Sequence, residues 1–320
     1  MKKIILITAI TITIITGIVI LKRSRSQTSS AKFTIGILQT ASHPALDASR
    51  QGFIEKLKSK MGNTVEFVIQ NAQGSIAQAH AIAQQFHANP QLTAFFTIAT
   101  PAAQAMSSVE KEKPIFIAAV TDPSSLGLIT PNTNVCGTKD MINVNKTVNL
   151  ITQLVPSAKT IGLLYTNGET NALVVAKLMR QALEAQKFTV FDFTVNSDVD
   201  MPVVTELACR KCDLILCPTD NTVAATISLI STITNKSKKP LIVSDNLLVA
   251  QGALAAQGVD YQQNGEKTAQ IAYQVLIENQ KPATLPITQS ESVNIYINQK
   301  TLANLNLVIP ETINQKIILV

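Results

Sequence analysis

Short apolar runs alternate with amphipathic segments along this chain, and the alternation occurs twice at one spacing. Residues 33–38 form an apolar run rich in β-branched side chains. Ser42-His43-Pro44 then opens a segment whose apolar residues, Leu46, Phe53, Ile54, Leu57 and Met61, recur at helical intervals. Pro44 suits a first helical position, where its missing N–H would have had no partner. Gly62-Asn63 ends that segment. A second strand is predicted at 65–69. Ser75 caps a helix that carries Ile76, Ala79, Ile82, Ala83 and Phe86 on one face, and Asn89-Pro90 stops it. Strands are predicted again at 94–99 and 114–120, with a helix started by Pro101 between them. Unbroken apolar strands separated by amphipathic helices require a parallel sheet covered on both faces.

The order then repeats. Thr160-Ile161-Gly162 matches Thr34-Ile35-Gly36, and Lys239-Pro240 matches Lys113-Pro114, both at an offset of 126 residues. Between them, the apolar run 214–217 with Pro218-Thr219-Asp220 parallels the run 95–99 with Thr100-Pro101. Matching elements at equal offsets predict two similar Rossmann-like α/β lobes.

Charge separates the lobes from what precedes them. The chain has 27 Lys+Arg against 21 Asp+Glu, a net charge of +6. Lys2, Lys3, Lys22, Arg23 and Arg25 fall within residues 1–30, which hold no acid, so the remainder is within one charge of neutral. A nucleic-acid partner needs clustered bases on the folded body and is excluded. The apolar run 4–21 sits between the two basic clusters and is just long enough to span a bilayer. Residues 1–30 are therefore a signal peptide or a signal anchor. The chain is expected to be exported, to the periplasm or the outer face of the membrane, with 4–21 either cleaved or retained.

In open parallel sheets, ligands bind outside the carboxyl ends of the strands. Those ends carry Gln39, Thr100 and Asp122 in the first lobe. In the second they carry the loop 167–171 with Asn171, then Asp220-Asn221 and Asp245-Asn246. Two facing lobes with such edges make a cleft that closes on a small solute. The stretch Ala99-Thr100-Pro101-Ala102-Ala103 offers a hydroxyl and backbone N–H groups at a helix start, a site for a carboxylate. Asp122, Asp220 and Asp245 are candidates to pair an ammonium group. Together they fit an amino acid zwitterion. Each also has a structural reading: Thr100, Asp220 and Asp245 as helix caps, Asp122 as a turn residue before Pro123. Replacing Asp122 or Asp220 by Ala is expected to cost about 2 kcal/mol of binding if either pairs the ammonium.

Enzymatic signals are weak. No Gly-x-Gly-x-x-Gly, phosphate loop or Gly-x-Ser-x-Gly occurs. His43 reads as a helix cap or ligand contact, and His80 and His87 read as surface groups. Cys209, Cys212 and Cys217 lack a nearby fourth zinc ligand. They are read as buried or incidental, with a Cys209–Cys212 redox pair as the alternative. No cofactor or metal is expected.

Several segments together carry a resemblance. They are Gly36 to Gln39 with His43-Pro44-Ala45-Leu46-Asp47, Gln70 to Gly74, Ala99 to Gln104, and Ala119-Val120-Thr121-Asp122-Pro123. Pro218-Thr219-Asp220-Asn221, Ser244-Asp245 and Gly252 to Ala256 complete the series. In this order the chain resembles the tryptophan/tyrosine-type substrate-binding proteins of ABC importers across residues 33–312. The resemblance implies a type I periplasmic-binding fold whose lobes are joined by three crossovers, near 143–148, 259–262 and 284–288. Lobe one would be 32–145 plus 261–285, and lobe two 146–260 plus 286–320. It implies a monomer that captures an amino acid, often aromatic, and delivers it to a membrane permease. By motif, Gln39, Thr100, Asp122, Asp220 and Asp245 would contact the ligand, with Asn171 added from the lobe-two loop. Aromatic residues are 4% of the chain and Trp is absent, so an aromatic ligand is expected to lack obvious stacking partners. A membrane-anchored sensing module of the same fold is the alternative reading.

Overall fold

The computed structural model describes residues 32–289, 294–313 and 315–320. The leader and its expected role lie outside the described residues. The chain builds two sheets. In the first, strands β1 (Phe33–Gln39), β2 (Val65–Asn71), β3 (Ala94–Ile98), β4 (Ile115–Val120) and β5 (Val135–Lys139) lie in the order β2-β1-β3-β4-β5, all parallel. In the second, β6 (Thr160–Thr166), β7 (Thr189–Val195), β8 (Leu214–Cys217), β9 (Leu241–Val243) and β10 (Ala255–Ala256) run β7-β6-β8-β9-β10. The same 2-1-3-4-5 order in both sheets is the structural form of the 126-residue repeat. It marks the gap between strands one and three as the switch point of each sheet.

Helices α1 (Pro44–Met61), α2 (Ile76–Ala88) and α3 (Thr100–Val109) connect the strands of the first sheet. Helices α5 (Thr170–Ala185), α6 (Met201–Lys211) and α7 (Asn221–Lys236) do so in the second. Each sheet has an apolar cluster on both faces, as the unbroken strand hydrophobicity requires. In the first lobe Phe53 of α1 stacks on Phe96 of β3, with centroids 3.8 Å apart. The repeated Thr-Ile-Gly has a packing reason. A Cβ at Gly36 would meet the Phe86 ring at 2.8 Å, and one at Gly162 would meet Phe193 at 3.1 Å. In each lobe the glycine leaves room for an aromatic side chain.

The last part of the chain returns to both sheets. Helix α4 (Val144–Leu154) follows β5 but buries Val148, Ile151 and Leu154 in the core of the second sheet. Helix α8 (Tyr261–Leu276) follows β10 but packs on the first, against α1, β4 and β5. Strand β11 (Thr288–Gln289) pairs with β5, and β12 (Ile295–Ile297) pairs antiparallel with β10. Helix α9 (Gln299–Asn304) and β13 (Ile317–Leu319) follow, β13 parallel to β12. Thr288 and Gln289 thus pair with the first sheet, at the end of the expected crossover near 284–288.

Candidate functional site

The carboxyl ends of both sheets face a common, narrow cavity. The first sheet and its returning helix contribute His43, Leu46, Ala119 and Tyr261, and Asp140 sits just past β5. The second contributes Asn171, Thr219, Asp220, Asn221, Ser244 and Asp245, with Val223, Val243 and Leu248 forming an apolar wall. The His43 imidazole bridges the two sides: its Nε2 lies 3.3 Å from Asn221 Oδ1, so that nitrogen carries the proton and donates. Burial holds the His43 pKa below the ordinary value, against the raising effects of Asn221, Glu169 and Asp47. Its Nδ1 is buried with no partner.

Glu169 organises the second wall. Its carboxylate sits at the start of α7 and accepts from the backbone N–H groups of Asn221 and Thr222, both at 3.0 Å. It also accepts from Asn221 Nδ2 at 2.6 Å, from Thr222 Oγ1 at 3.0 Å and from Asn171 Nδ2 at 3.0 Å. A carboxylate at a helix N-terminus is stabilised by unpaired donors and by the helix dipole. It holds the amides of Asn171 and Asn221 in place. Asp220 caps the same helix, accepting from Val223 N at 2.9 Å, and takes Thr166 N at 2.6 Å and Thr166 Oγ1 at 3.1 Å. Burial first, then the neighbouring Glu169, push its carboxyl up to about 8. Its oxygens are already committed to the protein.

Asp245 and Asp140 differ. Asp245 Oδ1 accepts from Leu247 N at 2.9 Å, and Asp140 Oδ2 accepts from the Tyr261 hydroxyl at 2.9 Å. The second oxygen of Asp245 is buried with no hydrogen-bond partner, and the buried Thr121 hydroxyl sits beside Asp140. Burial raises Asp140 to about 6, and burial together with the Asp140 charge raises Asp245 to about 7.

The remaining sequence candidates lie elsewhere. Gln39 is buried, but its Nε2 donates to Ala41 O at 2.6 Å and to Asp47 Oδ1 at 2.9 Å, and its Oε1 accepts from Arg50 at 2.5 Å. It braces α1 and does not line the cavity. Thr100 and Asp122 line an adjoining pocket, which shares Asn171 with the main cavity. The Ala102 N–H donates to Thr40 Oγ1 at 3.1 Å, so the donor expected for a carboxylate is taken by the protein. Asp122 is partly exposed and accepts from Ser125 N at 3.1 Å, in the turn its proline suggested. Cys209, Cys212 and Cys217 are buried free thiols, and burial raises each of them. Among the described residues no cluster of three or more metal-ligating side chains occurs, and no helix is long and apolar enough to cross a membrane.

Sequence reasoning missed Asp140 and Tyr261. Asp140 follows the polar end of β5, and Tyr261 opens α8 after its cap, Asp260. Both sit at chain crossings, where neither periodicity nor a motif marks them. Tyr261 and His43 also bring rings to the cavity wall, where stacking partners were not expected.

Residues 34–317 match the family described as ABC transporter substrate binding protein. This chain belongs to that family. A tyrosine-binding protein of Clostridioides difficile is 32% identical over 286 residues, covering 87% of this chain and 82% of its own length. The solved structure of an ABC domain from Streptococcus pneumoniae in complex with L-Trp superposes with a TM-score of 0.85 at 31% identity, covering 89% of this chain and 99% of that one. A ligand-free, open substrate-binding protein from Clostridium difficile gives 0.67 at 32% identity, with the same coverage. The substrate-binding protein described here thus has the type I periplasmic-binding fold, as the duplicated sheets and three chain crossings indicate.

Proposed function

We propose that this chain is the extracytoplasmic solute-binding component of an ABC importer. It captures an amino acid, of the aromatic class, between its two lobes by hinge closure and presents it to a membrane permease. The first sheet with α8 and β11 makes one lobe, and the second sheet with α4, β12 and β13 makes the other. The observation that carries the reading is the cavity at the facing strand ends, bridged by His43 and Asn221. Its wall is mixed: apolar side chains and two rings beside a few buried polar atoms that the protein leaves unpaired. That is the composition of a small-molecule site.

The two relatives that bind tyrosine and tryptophan support the aromatic class. Closure is supported by a contrast. At nearly equal identity, this chain superposes far better on the L-Trp complex than on the open, ligand-free relative. A difference in lobe arrangement produces such a gap without any change of fold. A ligand that contacts both lobes shifts the population toward the closed form.

Isothermal titration of the purified chain, lacking residues 1–30, against the twenty amino acids tests the reading. L-Tyr or L-Trp should bind with the highest affinity. No heat from any aromatic amino acid at millimolar concentration would exclude the ligand class.

A further inference from the structure

The tripeptide Asn-Gly-Glu occurs twice in the chain, at 167–169 and at 264–266. An asparagine before glycine is open to attack on its side-chain amide by the next backbone nitrogen, because glycine has no Cβ to shield that nitrogen. The local sequence gives both copies the same chemistry, so the fold alone separates them. Asn264 lies in α8 and is 0% exposed. Its Oδ1 accepts from Ala119 N at 3.1 Å and from Thr138 Oγ1 at 2.9 Å, and its Nδ2 donates to Lys139 O at 3.2 Å. Gly265 lies inside the same helix, which holds its nitrogen in the helical backbone. Asn167 and Gly168 instead form an exposed turn after β6. The Asn167 amide donates to the exposed Asn196 Oδ1 at 3.3 Å. A Cβ at Gly168 would find nothing within 4 Å, so the space around that residue is open to a ring and to water.

We propose that the Asn167-Gly168 bond is a site of covalent self-modification, at which the folded chain converts asparagine to isoaspartate and so loosens the Glu169 carboxylate from the start of α7. The Gly168 nitrogen gives its proton to water or hydroxide and bonds to Asn167 Cγ. The Cγ–Nδ2 bond breaks, and Nδ2 leaves as ammonia with a proton taken from water. The product is a cyclic succinimide, in which the Gly168 nitrogen is shared by Cγ and the Asn167 backbone carbon. Water then adds to either carbon and breaks its bond to nitrogen. Addition at Cγ gives aspartate. Addition at the backbone carbon gives isoaspartate, with the chain now running through Cβ and Cγ. Overall, water enters, ammonia leaves and a carboxylate replaces an amide, with no oxidant or reductant taking part. Isoaspartate inserts a further carbon into the backbone two residues before Glu169. Glu169 is 6% exposed, and its carboxylate is fixed by donors from Asn171, Asn221 and Thr222. A longer backbone and a new negative charge beside it move that carboxylate out of register with α7, and Asn171 and Asn221 carry the change to the cavity wall. The modification goes beyond the solute-binding reading and does not depend on it.

The experiment ages the purified chain in mildly alkaline buffer, below its thermal midpoint, with peptide mass spectrometry at intervals. Electron-transfer fragmentation tells isoaspartate from aspartate. The mass gain from amide to acid should appear at Asn167 at least about 100-fold faster than at Asn264, whose conversion waits on opening of α8. In concentrated urea the two sites should convert at rates within about threefold of each other, since the tripeptides are identical and the fold is gone. Conversion in the folded chain that is equally slow at both sites, or faster at Asn264, overturns the proposal. Gly168→Ala places a Cβ in open space and should suppress conversion at Asn167 while keeping the thermal midpoint of the fresh protein. Aged wild type, enriched in isoaspartate by ion exchange, should melt at a lower temperature than fresh protein, and aged Gly168→Ala should not. Isoaspartate that accumulates with no change in midpoint overturns the link to Glu169. The mass-spectrometric arm uses the wild type alone, so a misfolded variant cannot obscure the result.

Discussion

Asp220, Asp245 and Asp122 are the same residue at the same kind of strand end, yet the structure gives them three different tasks. Asp220 fastens α7 to β6 and satisfies three donors. Its replacement by Ala is now expected to act on the fold: about 2 kcal/mol or more of stability should be lost, read by urea denaturation. Asp122→Ala removes a turn bond on a partly exposed loop, so ligand affinity should stay within about twofold by titration. Asp245 and Asp140 govern the pH dependence. Their folded pKa values, about 7 and about 6, lie above the ordinary carboxylate value, as does that of Asp220, about 8. At these three acids the folded state holds more protons than the unfolded chain from about pH 4 to pH 8, so their contribution to stability falls as pH rises through that window, outweighing the opposite contribution of the single His43, whose pKa burial lowers. Denaturation midpoints of the ligand-free protein should be higher at pH 5.5 than at pH 8, and Asp245→Asn should flatten the difference. A midpoint that rises with pH would contradict the assignment. Strand-end acids were legible in the sequence. Which of them keeps a free oxygen was not, because that depends on donors about 50 residues away, such as Thr166 for Asp220.

At the scale of elements, one contact secures the chain's return to the first lobe. Helix α8 crosses α1 so closely that a Cβ on Gly265 would lie 1.9 Å from Ser49 O, and one on Gly52 would lie 2.4 Å from Gln262 O. Backbone on both sides leaves neither helix a way to yield. Gly265→Ala should therefore cost more than an ordinary helical substitution gains: at least about 1–3 kcal/mol of overpacking strain, read as a lowered thermal midpoint. The polar side chain at the adjacent turn explains why the crossing holds its position. Asn264 accepts from Ala119 N at 3.1 Å and from Thr138 Oγ1 at 2.9 Å, and its Nδ2 donates to Lys139 O at 3.2 Å, tying α8 to β4 and β5. The long helices and apolar strands of both lobes were legible because each buries a periodic face. The short returns β10, β11 and β12 were not, because two or three residues carry no period.

For the whole molecule, the decisive feature is that the two lobes meet. His43 to Asn221 joins side chains 178 residues apart across the cavity. His43→Ala should shift the ligand-free protein toward an open arrangement, increasing its radius of gyration in small-angle scattering. Ligand affinity should weaken about tenfold as the binding-competent fraction falls. An unchanged scattering profile and affinity would mean that the bridge contributes nothing to closure. The sequence by itself determined the class of fold, its duplication and the near-neutral charge of the body. Those follow from hydrophobic period and spacing, which act along the chain. Only the tertiary structure decided which strand-end groups share a cavity, that Asp140 and Tyr261 join them at the chain crossings, and which oxygens remain unpaired. Those outcomes depend on burial and on donors supplied by distant segments, and no local pattern encodes either.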